Sequence, residues 1–206
     1  MESLGTTELM AIAAALGWAS GMRLYAVVFL TGLAGVLGWV PLPEGLKLLE
    51  HPVVLGASGL LLAVEFFADK VPGLDSVWDA IHTFLRVPAG AALAAGVFGG
   101  DQHTWAMVAA LAGGTLAATS HVAKATTRAA VNTSPEPFSN VGMSLLGDAA
   151  VPALLWLSWS DPTLFFVVLA VLVVVALALT VLLFRFLRGL VRRLRGGWPL
   201  ARPAAG

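Results

Sequence analysis

The chemistry this chain could perform lies in its charged residues, which are few and recur at helical spacing. Glu65 and Asp69 are four apart; Asp75, Asp79, His82 and Arg86 follow at steps of four, three and four. His121, Lys124 and Arg128 repeat the pattern, and Arg23, Lys70 and Asp148 add single charges. Steps of three and four put side chains on one face of a helix, so each group reads as a polar stripe. The acids Glu65, Asp69, Asp75, Asp79 and Asp148 are matched in number by the bases Arg23, Lys70, Arg86, Lys124 and Arg128. Carboxylates and imidazoles in such stripes can relay protons, and the bases can hold an anionic group.

Other readings of the same residues are weaker. A neutral salt-bridge network can simply glue helices together. Asp75, Asp79 and His82 offer oxygen and imidazole donors to a divalent cation, though three such groups on one helix are a common coincidence. Ser20, in Trp18-Ala19-Ser20-Gly21, together with His121 resembles a serine–histidine dyad of an intramembrane hydrolase. A Ser-Gly pair in an apolar helix is more often a packing contact. No motif asks for a cofactor. With no cysteine there is no thiolate chemistry, and a net charge of zero gives no argument for nucleic acid.

The elements that carry these stripes must be membrane helices. The chain has 206 residues, 58% hydrophobic and 12% charged, about half the charged share of a soluble domain. A helix needs roughly 20 apolar residues to cross a bilayer. Six apolar stretches, at about 9–40, 52–70, 75–99, 104–130, 138–159 and 163–184, nearly exhaust one transmembrane domain over 1–188. The first is too long for one plain span and is expected to break near Ser20-Gly21. Glu44, Lys47 and Glu50 read as a polar loop, Val71-Pro72-Gly73 as a turn, and Pro88 as a kink. The run 89–96 is almost all alanine and glycine, which suits close backbone approach. The sixth stretch has no charge and no glycine, and reads as a wall facing lipid.

Basic residues orient the helices. Arg185, Arg188, Arg192, Arg193, Arg195 and Arg202 follow the last stretch, forming a tail at 189–206, and Lys70, Arg86, Lys124 and Arg128 flank two connections. With six spans all of these fall on one side, which places both termini in the cytoplasm of an inner (plasma) membrane protein. The arginine tail then anchors topology and can meet anionic lipid headgroups. Asn132-Thr133-Ser134 matches a glycosylation sequon but falls on the cytoplasmic side. The halves have opposite orientation, and Ser20/Arg23 echo Ser120/Lys124 while Asp75/Asp79 echo Ser144/Asp148. Inverted three-helix repeats recur in transporters. The expected function is therefore a small transporter or channel for a small polar solute or ion. A membrane scaffold or complex subunit is the alternative, and an intramembrane hydrolase the third.

Several runs also carry a family resemblance: 19–25 (ASGMRLY), 65–75 (EFFADKVPGLD), Trp78-Asp79, His82-Thr83, Arg86 and Ala89-Gly90-Ala91, then His121, Lys124-Ala125, Arg128, Asn132, Ser144 and Asp148. Over about 10–185 the chain resembles the bacterial multi-pass membrane proteins of domain of unknown function family 4126. The resemblance implies a compact helical membrane protein and no particular activity. Gly147-Asp148 stands where that family tends to carry two acids.

Overall fold

The structure, a computed structural model, describes residues 4–71, 73–99, 102–133 and 138–196, with backbone alone for 193–196. Pro72, Asp101, residues 134–137 and the tail beyond 196 lie outside the described residues, as do the side chains of Arg193 and Arg195. The described residues form six α-helices and one 3-10 helix, with no strands. In chain order these are α1 (Thr6–Val36), the 3-10 helix Glu44–Glu50, α2 (Pro52–Ala68), α3 (Leu74–Gly96), α4 (His103–Val131), α5 (Phe138–Ser160) and α6 (Pro162–Gly196).

Four of these are long and apolar enough to cross a membrane: Thr6–Val36, His103–Val131, Phe138–Ser160 and Pro162–Arg192. The 3-10 helix and α2, bent by 68° at their junction, make a fifth if taken as one span. The bundle is inside-out relative to a soluble protein. On α3 the buried face is Asp75, Asp79, His82, Arg86, Gly90 and Ala94, while Val77, Ile81, Leu85 and Phe84, the last 82% exposed, point outward. Water would not tolerate that arrangement, but hydrocarbon favours it.

The path of α1 departs from the expected single span. It breaks at Arg23, whose backbone leaves the helical region (φ −150°, ψ 85°), two residues past Ser20-Gly21. The reason is local. Ser20 Oγ donates to Leu16 O and stays within the helix, and Gly21 serves packing, because a Cβ there would run into Ala117 and Ser120 of α4. Before the break, α1 runs alongside α4, with Gly17 on Gly113 and Met22 O accepting from Lys124 Nζ. Antiparallel α3 lies against both, with Gly90 beside Ala117 and Gly17. After the break, α1 runs back along α2, with Arg23 at Asp69, Phe29 at Gly59, and Gly32 against Leu49 of the 3-10 helix. That 3-10 helix rests on the C-terminal end of α3, Gly45 against Gly96. Since Gly96 lies at the end of the bundle where α1 began, the two arms of α1 form a V with Arg23 at its apex.

Helices α2 to α6 run from end to end of the bundle and α1 turns back at Arg23; α4, the partner of α1 in an inverted repeat, is continuous. Thr6 and the end of α6 also come to lie at opposite ends of the bundle, not together. The supposed polar loop at Glu44–Glu50 is the 3-10 helix, and it buries Leu46 and Leu49. The wall expected of α6 is half right. Its outward face is exposed, but Phe165, Leu169 and Ala176 are buried, and the helix continues through Arg185, Arg188 and Arg192.

The crossing of α1, α3 and α4 depends on small residues. A Cβ on Gly90 would lie 2.7 Å from the Ala117 Cβ, and one on Gly17 would lie 2.5 Å from the Gly113 Cα. Gly90→Leu should therefore lower the melting temperature in detergent, at a cost of about 1–3 kcal/mol or more from overpacking. Gly56→Leu on α2, where nothing lies within 4 Å, should melt like the parent. Equal melting of the two variants would refute the close crossing.

Candidate functional site: a buried ion-pair network at the break in α1

The fold brings all ten sequence-predicted charges into one connected network. Arg23 Nη2 lies 3.1 Å from Asp69 and 2.9 Å from Asp148. It also donates to Ser144 Oγ and to Ser144 O, at 2.9 and 3.1 Å. Asp69 Oδ2 is the meeting point of three cations: Arg23, Lys124 at 3.2 Å and Arg128 at 3.0 Å. Lys124 bridges onward to Asp79 at 3.0 Å. Arg128 joins Asp75 at 3.2 Å and Asp79 at 3.5 Å. Arg86 holds Asp79 and Glu65, both at 2.7 Å. Lys70 closes the far side on Asp148 at 3.1 Å, with its ammonium 3.0 Å over the Phe66 ring.

The break in α1 is part of this network. Ending a helix leaves carbonyls without partners, and here Ser120 Oγ donates to Trp18 O at 2.7 Å while Lys124 donates to Met22 O at 3.0 Å. A cation at a helix C-terminus also suits the dipole. The same lysine therefore neutralises two carboxylates and satisfies the backbone at the apex.

The two predicted histidines part company. His121 sits within the network. Arg86 Nη1, which can only donate, lies 3.2 Å from Nδ1, so the ring proton belongs on Nε2, 2.8 Å from Thr83 Oγ1. Thr83 in turn donates to Asp79 O at 2.9 Å. His82 stands apart, stacked on Trp78 at 4.1 Å with its Nδ1 2.8 Å from Trp78 O and Tyr25 edge-on at 5.5 Å.

The weaker readings are served differently. Ser20 gives its hydroxyl to Leu16 and His121 is engaged by Thr83 and Arg86, so both members of a dyad are occupied elsewhere. Among the described residues no group of three His, Asp or Glu side chains is placed to hold a metal. Asp75 accepts from Gly73 N, Ser76 N and Asn132 Nδ2, while Asp79 is taken by bases. Thr83 and Asn132 were not picked out as site residues, although a signal existed. Thr83 is four beyond Asp79, and Asn132 four beyond Arg128. Across Arg23, Ser144 and Asp148 of α5 face Asp69 of α2.

Two spaces adjoin Arg23. One is a small cavity of about 40 Å³ walled by Met22, Arg23, Asp69, Lys124, Arg128 and Ser144 among others. The second is a cleft of about 450 Å³ between α2 and α5, which reaches Arg23 and Asp148. Asp69 Oδ1 and Arg23 Nη1 are buried without a hydrogen-bond partner.

Because three cations share Asp69, its removal should be felt widely. Asp69→Asn should destabilise the folded protein by about 3–5 kcal/mol, the scale for orphaning buried charge, and adding Lys124→Met should restore part of the loss. The check is thermal unfolding of both in the same detergent. A double variant that is only additively worse would show that the two are not energetically coupled.

No curated protein and no solved structure matches the chain. The family model described as Domain of unknown function (DUF4126) matches residues 10–181. That match covers most of the chain, including every charge of the network, and the chain belongs to that family.

Proposed function

We propose that this chain is a small integral membrane transporter or channel for a small polar solute or ion, with its path running past Arg23. The observation that carries the proposal is that the apex of a broken helix, Arg23, is the shared wall of a small cavity, walled also by Asp69, Lys124 and Arg128, and of an open cleft. Discontinuous helices that place backbone and charge at mid-bundle are a recurrent way to bind solutes in membranes, and irregular backbone at that depth is tolerated where it lines a cavity. The pathway residues are Arg23, Glu65, Asp69, Lys70, Asp75, Asp79, Arg86, His121, Lys124, Arg128 and Asp148. His82 supports the third helix from the side.

The topology follows from α1. Helices α2 to α6 cross the inner (plasma) membrane and α1 re-enters on the side where it began. The basic bias puts the charged end of the bundle in the cytoplasm, so the C-terminus is cytoplasmic and the N-terminus is on the opposite side. The reading as a scaffold has its own support, since five acids and five bases satisfy one another and leave a cavity of only about 40 Å³.

Reporters decide the topology. One active only outside the cytoplasm should give signal when fused before Met1 and none after Gly206, and equal signals would refute the re-entrant α1. Proteoliposomes decide the function. The parent should conduct small ions or pass small polar solutes in a swelling assay, and a folded Arg23→Met variant should differ in rate or selectivity. No flux from the parent over that panel would favour the scaffold.

A further inference from the structure

The cleft between α2 and α5 has a polarity of its own. Its walls are Leu30, Leu62, Phe66, Phe67 and Pro152, and its one charged end is Arg23 with Asp148. Lys70 joins that end, donating to Asp148, Ser144 Oγ and Phe66 O and lying over the Phe66 ring, with about a fifth of its side chain exposed. Two bases, Arg23 and Lys70, thus flank the one carboxylate of the cleft, Asp148, while Asp69 lies behind Arg23 and is shared with Lys124 and Arg128. Arg23, only 2% exposed, keeps Nη1 without a partner.

The apolar part continues beyond the cleft. Leu30 and Pro152 also line a second space of about 240 Å³ that runs on past Thr31 and Ala34 to Trp39 and Trp159. From Arg23 to Ala34 the second arm of α1 rises about 16 Å at 1.5 Å per residue. That is close to half of the roughly 30 Å hydrocarbon core. A groove that is charged at one end and apolar along its walls has the shape of a site for an amphiphile.

We infer that the α2–α5 cleft binds an anionic phospholipid, its phosphate held by Arg23 and Lys70 and one acyl chain lying along the second arm of α1. This goes beyond the transport reading and requires no flux. The chain has no cysteine, so Ala63→Cys places a single thiol on the exposed wall of the cleft, and Leu177→Cys places one on the outer face of α6. Labelling by N-ethylmaleimide is followed in neutral detergent with added dioleoyl phosphatidic acid, dioleoyl phosphatidylcholine or inorganic phosphate. At ten times its dissociation constant, phosphatidic acid should slow labelling at residue 63 about tenfold by mass action. It should leave residue 177 unaffected, and phosphatidylcholine should protect neither. The melting temperature of the parent, measured with the same additions, should rise with phosphatidic acid alone. Equal protection by both lipids, or equal protection of both thiols, would overturn the proposal. Protection by inorganic phosphate alone to the same extent would also overturn it, leaving a small anion at Arg23 with no chain in the groove.

Discussion

The eight buried charges of the network can lie in an apolar shell only if each finds its opposite, and that requirement fixes which helices are neighbours. An isolated ion in a low-dielectric interior costs several kcal/mol. Here Asp69 of α2 must lie where α1 and α4 can both reach it, and Asp79 of α3 must lie where α4 can reach it. The glycines and alanines of the α1–α3–α4 crossing then let the backbones come close enough for these side chains to meet. The break at Arg23 completes the arrangement, since Lys124 serves both the freed backbone and the carboxylates.

Much of this was legible in the sequence because charges are rare in it. Against an apolar background, steps of three and four stand out, so the stripes on α3 and α4 could be read directly. Small residues gave the close crossing at Gly90 for the same reason. That α1 breaks was legible from its length; the direction it takes after the break was not. An apolar run long enough for one tilted helix is also long enough for two short arms, and hydropathy cannot tell them apart. What decides is the dihedral angles at Arg23 and a contact, Gly32 on Leu49, that depends on the 3-10 helix resting on α3.

The role of Arg23 differs from that of the other bases. Lys124, Arg128 and Arg86 link α2, α3 and α4 on one side of the network, while Arg23 links that side to α5 through Asp148 and Ser144. All of its carboxylate contacts run through one nitrogen, Nη2, and Nη1 is left over. A guanidinium held this way joins two acids at once and keeps an unused donor. That is why the transport and scaffold readings make opposite demands on the same residue.

The inward polar face of α3 bears on how the chain is made. In a bilayer, Asp75, Asp79 and Arg86 each oppose insertion of that helix alone, at roughly 2.5–3.5 kcal/mol per charge near its centre. Glu65 has already been synthesised when α3 emerges from the ribosome, but Lys124 and Arg128, which answer its two aspartates, come later, on α4. A bilayer would therefore accept the third helix more readily with the fourth beside it than alone.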